Sequence, residues 1–396
     1  MKVTVTTEHR FLRTPDGQVW TCAQYAYAFF LRYLDVFDHV EVVSRVLDVP
    51  VVPSHWQRVD GEGVSLIPIP YYIGPWQYLW KRHQIMRTVL DAAKRVEAII
   101  FRGSSSFSDG FTRALKNRLP PFGVEVVGDP WEVFSPTAFK HPLRPFLRLW
   151  FYRQQAQLCL KASAVAYVTK YTLQRRYPPS ATAFSASYSD VELSDDAFVS
   201  IPHLKSVENK TFTLITVATL AQLYKGQDTL ISAIARCVSQ GLDLHLVLVG
   251  DGHYRSLLES QAARLGVSER IRFLGELPSG ISVRDELDRA ALFVLPSRTE
   301  GLPRALIEAM ARALPCVAST AGGIPELLDP IDLVKPNDVQ ALADKIREVL
   351  TQPNRMAEMA VRNLRRAREY HEILLRSTRK DFYRFIKNQT NSHRPL

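Results

Sequence analysis

Short apolar runs alternate along this chain with longer stretches in which apolar positions recur every three or four residues. The runs read as buried strands, over 2–7, 40–44, 96–101, 124–128 and 164–169 in the first half and 211–217, 244–250, 271–274, 292–295 and 316–319 in the second. The periodic stretches read as helices over 22–34, 78–95, 143–160, 227–238, 254–265, 303–313 and 339–350. Strand and helix in alternation predict parallel sheets with helices on both faces. At 396 residues the chain exceeds what one core usually supports, so the pattern divides into two doubly wound α/β domains. The boundaries are set at 1–190 and 191–375, with a basic helix over 376–396. The polar, aperiodic segment 180–196 is the expected linker.

Composition narrows the class. Apolar residues make up 46% of the sequence, enough for packed cores. Cys22, Cys159, Cys237 and Cys316 are far apart and form no Cys-x-x-Cys pair, which points to a reducing compartment rather than a disulfide framework. The N-terminus alternates like a strand and lacks the apolar core of a signal peptide. The uncharged stretch 17–31 has 15 residues, short of the about 20 that a transmembrane helix needs. The net charge of +10 is local: residues 361–396 carry ten Lys/Arg against three acids, +7, and 139–161 carry five Lys/Arg and no acid. Such patches suit an anionic bilayer, a phosphorylated substrate or nucleic acid; no nucleic-acid-binding module accompanies them.

The chemistry concentrates in 292–328. A buried strand ends at Pro296, a short loop carries Glu300 and Gly301, and Leu302 and Pro303 lead into a helix with Pro303 in its first turn. Free N–H groups at that turn, with the helix dipole, form an anion site suited to a diphosphate. Glu308, further along the helix, can accept from ribose hydroxyls; alternatively it is only a favourable dipole partner. This string resembles the Glu-x7-Glu signature of the family-4 retaining glycosyltransferases, spelled here by Glu300 and Glu308. The resemblance continues in Ala321-Gly322-Gly323-Ile324-Pro325-Glu326, in Leu223-Tyr224-Lys225-Gly226-Gln227-Asp228 and in Val249-Gly250-Asp251-Gly252, covering about 211–350 densely. It implies that Glu300 contacts the donor sugar, Glu308 the ribose and Lys225 the donor phosphates. One departure stands out: the family's usual Arg six residues before that Lys is Thr219 here, and a hydroxyl cannot supply a guanidinium fork.

Other motifs fail or stay open. Gly250-Asp251-Gly252 lacks the third glycine of a dinucleotide fingerprint, since Arg255 stands there, and no Asp-x-Asp metal pair is found. Gly17, in Thr14-Pro15-Asp16-Gly17 between a strand and a helix, either brings backbone close to a phosphate or sugar or forms a plain turn. Asp129, ending the fourth strand where relatives place a His, is either a sugar or acceptor contact or a structural turn. Arg102, at another strand end, is a further candidate. Two segments, 71–82 and 139–153, mix aromatics with cations as bilayer interfaces require; core on one face and a solvated basic face on the other is the competing reading.

The resemblance implies the GT-B arrangement, two Rossmann-like domains across a cleft, with 1–190 on the acceptor side, 191–375 binding the nucleotide-sugar and 376–396 packing back on the first domain. It implies a cytoplasmic enzyme, peripheral on the inner membrane face, that moves a hexosyl unit from a UDP- or GDP-sugar to a polysaccharide or lipid-linked glycan with retention. No metal cofactor is expected. A GT-B nucleotide-sugar epimerase and a silent scaffold paired with an active transferase are the alternatives.

Overall fold

The computed structural model describes residues 1–22, 25–54, 56–136, 141–201 and 211–393, apart from the side chains of Ser106 and Asn117. Two sheets organise it. The first contains β1 (Lys2–Arg13), β2 (Val19–Thr21), β3 (His39–Asp48), β4 (Gln57–Arg58), β5 (Val64–Pro70), β6 (Ala98–Arg102), β7 (Phe122–Val126), β8 (Ala164–Tyr167) and β9 (Phe184–Ser187). Its parallel row runs β5-β3-β1-β6-β7-β8-β9. Beyond the end of β6, antiparallel β2 takes over that flank of β1, and β4 pairs β2. The second sheet, β10 (Phe212–Val217), β11 (Leu244–Val249), β12 (Ile271–Gly275), β13 (Leu292–Leu295), β14 (Cys316–Ser319) and β15 (Leu333–Val334), is all parallel in the order β12-β11-β10-β13-β14-β15. Each sheet reverses its strand order once, between β1 and β6 and between β10 and β13. In open α/β sheets such switch points, at the carboxyl ends of the strands, are where ligands bind.

The helices of the first half are α1 (Tyr27–Leu34), α2 (Gly74–Ala93), α3 (Ser106–Leu115), α4 (Pro130–Val133), α5 (Arg144–Lys161) and α6 (Thr172–Arg176). The second half has α7 (Gln227–Ser239), α8 (Arg255–Arg264), α9 (Ile281–Arg289), α10 (Arg304–Ala311), α11 (Val339–Leu350), α12 (Pro353–Ala367) and α13 (Glu372–Ser392). The strand period of two sorts the second core cleanly. Leu214, Leu246, Leu248, Leu292 and Val294 join one buried cluster with α7, α8 and α11. Ile215, Val247, Val249, Phe293 and Leu295 join the cluster that contains α10.

The last helix, α13, returns to the first sheet and packs across β6 to β9. Gly123 in β7 makes room for it, since a Cβ there would lie 2.3 Å from Ile386 Cδ1. Beneath it the fully buried Glu125 accepts from the hydroxyls of Tyr33 (2.7 Å), Tyr188 (2.6 Å) and Tyr383 of α13 (3.0 Å), and from Arg102 (2.6 Å).

Several expectations are corrected. Segment 180–196 is no open linker: it contains β9 and buries Ser189, Val191 and Leu193, while Asp190 pairs with Arg32 and Arg102. Strand β5 escapes the pattern because Pro68 and Pro70 lie in it, which an edge strand tolerates. The helix expected from residue 22 begins at Tyr27. Pro303 occupies the N-cap of α10 rather than its first turn. The motif around Gly17 leads into β2, not a helix, and forms a hairpin turn closed by Gly17 N–H on Thr14 O (2.9 Å).

Candidate active site

The second sheet's switch point carries Glu300 from the 292–328 string and Lys225 from the 223–228 string. After β13 the loop 296–303 crosses the sheet end, and it is backed by the glycine turn that follows β14. Gly322, at φ +53°, has room for no side chain: a Cβ would sit 1.9 Å from Glu300 O. Gly323 donates its N–H to Gly301 O (2.8 Å). On the other side, a Cβ on Gly301 would lie 2.5 Å from Val127 O, so this loop meets the end of β7 in the first domain. Leu302 is buried beneath the turn.

Glu300 is 8% exposed and its carboxylate is held from two directions. Lys225 Nζ reaches both oxygens, at 2.7 and 2.9 Å, and Ser297 donates its hydroxyl to Oε1 at 2.6 Å. Burial works against the Lys225 ammonium, but the charge of Glu300 outweighs it and raises the pKa above the ordinary lysine value. Lys225 ends a 3₁₀ turn, Leu223–Lys225, which Arg298 fastens to the loop. The Arg298 guanidinium binds Asp228 Oδ2 (2.7 Å), Asn337 Oδ1 (2.5 Å) and the Leu223 carbonyl, and the Arg298 backbone N–H donates to Tyr224 O (2.6 Å). Arg298 and Asp228 lie within the two strings that drew attention to Glu300 and Lys225, but neither pattern reveals that one holds the other. Ser297 was missed for the same reason.

Glu308 is half-buried on α10, in the turn after Arg304. Burial raises its pKa, while the charges of Arg304 and Arg284 pull it back. The first N–H groups of α10 have no partner inside the helix, so Lys225, Glu300, Glu308 and these amides surround one helix start. Thr219, past β10, is exposed; its hydroxyl accepts from Ala221 N–H at 3.1 Å. Gly250, at the end of β11, packs on the backbone of Ala218, whose oxygen a Cβ would approach to 2.0 Å. It therefore shapes the Thr219 turn.

The first-half candidates do not join this group as free side chains. Asp129 caps α4 and is 3% exposed. Its Oδ1 accepts from Trp131 N–H (3.0 Å) and the Tyr177 hydroxyl (2.6 Å), and its other oxygen pairs with Arg176. These bonds favour the structural-turn reading of Asp129. Arg102 is buried against Glu125 and Asp190. Gly17 lines an open hollow of about 430 Å³ with Arg13, Arg58 and Asp60. A further link between the domains comes from Glu326, which accepts from the N–H groups of Lys170 (2.6 Å), Tyr171 (3.1 Å) and Thr172 (2.6 Å) at the start of α6. No described helix is long and apolar enough to cross a membrane.

Comparison with known proteins gives the arrangement a context. Residues 203–367 match the family described as Glycosyl transferases group 1. Protein CapJ of Staphylococcus aureus is 28% identical over 337 residues, covering 82% of this chain and 81% of that protein. The GDP-mannose-dependent monoacylated alpha-(1-6)-phosphatidylinositol monomannoside mannosyltransferase of Corynebacterium glutamicum is 32% identical over 219 residues, 50% of this chain and 56% of its own length. Among solved structures, sucrose-phosphate synthase from Thermosynechococcus elongatus superposes with a TM-score of 0.71 at 16% identity, covering 98% of this chain and 99% of that one. Anabaena HepE in complex with UDP and glucose gives 0.65 at 18%, covering 99% and 100%. These structural likenesses speak to the fold. With the family match on 203–367, they show a chain of GT-B fold whose second half is similar to the group 1 glycosyl transferases.

Proposed function

We propose that the protein transfers a hexosyl unit from a UDP- or GDP-sugar to a polysaccharide or lipid-linked glycan acceptor, with retention of configuration and without a metal cofactor. The observation that carries this reading is the Lys225–Glu300 pair at the switch point, beside the free amides of α10 and one helical turn from Glu308. The relatives support the donor class, one being named for GDP-mannose and one solved with UDP and glucose.

In this reading Glu308 accepts from the ribose hydroxyls. Lys225 and the α10 amides hold the diphosphate, and their fixed charges stabilise the negative charge that grows on it as the bond from anomeric carbon to phosphate oxygen breaks. Glu300, pinned by Ser297 and drawn to Lys225, sits on the diphosphate side and contacts sugar hydroxyls. A carboxylate so placed is neither an opposite-face base nor a nucleophile. The acceptor hydroxyl then attacks from the leaving-group face, its proton passes to the departing phosphate oxygen, and the new glycosidic bond keeps the donor's configuration.

The acceptor side faces an anionic bilayer in this proposal, with the enzyme peripheral on the cytoplasmic membrane face. Trp76 and Trp80 are 67% and 87% exposed, and Phe146 and Trp150 are 63% and 47% exposed. All four fall in the first two turns of α2 and α5. Helices that return between parallel strands start near the strands' carboxyl ends, so these aromatics sit on the cleft side of the domain. Exposed Arg82 and Arg153 and half-buried Arg144 accompany them, and aromatic rings among cations suit the headgroup layer. Arg148 is otherwise engaged, over the Trp131 ring and on the Trp131 carbonyl at 2.7 Å.

The test is incubation with a panel of UDP- and GDP-sugars and membrane extracts, with and without excess chelator, followed by NMR of the anomeric proton. An α-linked donor should give an α-glycoside at a rate unaffected by chelator, and Glu300→Gln should slow it by about 10²-fold or more. A β-linked product overturns the mechanism, metal-reversible loss overturns metal independence, and no turnover of any nucleotide sugar leaves the silent-scaffold reading.

A further inference from the structure

The diphosphate of a nucleotide sugar carries two negative charges, and a third develops as it leaves. The proposed site offers it Lys225, but Lys225 faces the buried carboxylate of Glu300, so the pair as it stands is close to neutral. The surrounding cations are engaged elsewhere. Arg298 holds Asp228, Asn337 and the Leu223 carbonyl. Arg284 donates to Asp196 at 2.6 Å, Arg255 binds Glu259 at 2.8 Å, and Arg32 and Arg102 share Asp190. Thr219 contributes only a hydroxyl, already committed to Ala221.

Arg304 differs from all of these. It is the first residue of α10, directly after Gly301-Leu302-Pro303, and it is exposed. Among the described residues its side chain makes no hydrogen bond or ion pair. Positions four apart on a helix share a face, so Arg304 lies over Glu308, displaced toward the loop that carries Glu300. Its charge is felt at Glu308, at Lys225 and, from the first domain, at Asp190. A cation at the start of a helix is disfavoured by the helix dipole, so this position needs an anion to make it favourable.

We infer that Arg304 is the second cation of the donor site, its guanidinium closing on the terminal phosphate of the nucleoside diphosphate while Lys225 stays bridged to Glu300. This rests on the donor-site reading above. A guanidinium presents a planar fork that matches two phosphate oxygens, which an ammonium cannot do. The role is binding and charge stabilisation, and Arg304 touches the leaving group without taking part in proton transfer.

The experiment is isothermal titration of the full chain with UDP, GDP, UMP and GMP, on wild type, Arg304→Ala and Arg304→Lys. One hydrogen-bonded charge corresponds to about 10–100-fold in affinity. Arg304→Ala should therefore weaken the diphosphate by about that factor and the monophosphate much less, collapsing the preference between them, with Arg304→Lys recovering part of it. An unchanged diphosphate-to-monophosphate ratio in Arg304→Ala overturns the inference, including when both affinities fall together, since that reports a structural role. If wild type binds neither UDP nor GDP, the donor-site reading fails first and the inference with it.

Discussion

Glu326 offers the sharpest test of how the two domains cooperate. Its carboxylate belongs to the second domain, yet it accepts three N–H groups, at 2.6, 3.1 and 2.6 Å, from the start of α6 in the first. Hydrogen bonds to a charged acceptor contribute about 1.5–3 kcal/mol each when buried. Glu326 is half-buried and Tyr171 exposed, so water would replace part of what a substitution removes. The three bonds together then favour the observed domain arrangement by about 2–3 kcal/mol, or about 30–150-fold in its population. Glu326→Ala should release it, and Glu326→Gln, with a single acceptor oxygen and no charge, should release about half as much. Transfer needs donor and acceptor aligned across the cleft. Turnover should therefore fall by about tenfold or more in Glu326→Ala, while affinity for UDP or GDP, which the proposed donor site places within one domain, holds within about twofold. Steady-state kinetics paired with calorimetric titration separate the two. Unchanged turnover would refute the argument, as would equal losses of turnover and nucleotide affinity, which would mean that the substitution only disturbs the glycine turn behind Glu300.

Three further expectations follow from the buried charges and the exposed rings. Glu125→Ala leaves Arg102 with Asp190 alone and three tyrosine hydroxyls without their acceptor, so it should destabilise the first domain by about 3–5 kcal/mol in denaturant melts. Burial opposes ionisation of Glu125, but Arg102 and the tyrosine donors outweigh it and its folded pKa is depressed. Its contribution is thus present above the unfolded carboxylate value of about 4.3 and is lost as pH falls through the lower folded value. The gap in melting temperature between wild type and Glu125→Gln should narrow below about pH 4, and a gap constant with pH would contradict this. Replacing Arg144 and Arg153 by Glu should reduce co-sedimentation with anionic vesicles and leave donor hydrolysis intact, and wild-type binding should weaken with salt. Salt-insensitive binding, or none, would favour an acceptor away from the bilayer.

The sequence alone carried the second domain well. β13 and β14 coincide with their apolar runs residue for residue, and α11 with its periodic stretch, because a parallel strand buried on both faces and a helix buried on one leave unambiguous periods. The residues that gather at the switch point were also visible, since Glu300, Gly301, Glu308 and Gly322 lie in one continuous string and Lys225 in another. What the chain could not disclose was which side chains remain free once it is folded. Asp129 and Arg102 stand at strand ends, as binding residues do, but burial without partners would cost each several kcal/mol, and Tyr177, Arg176, Glu125 and Asp190 supply those partners from distant segments. Edge strands β5 and β9 were hidden because an edge position tolerates the prolines and small polar residues that local pattern reads as loop. Arg298, Ser297 and Glu326 act through partners 70, 3 and about 155 positions away. Only the tertiary fold sets those contacts, because hydrogen bonds depend on distance in space and local periodicity carries no record of it.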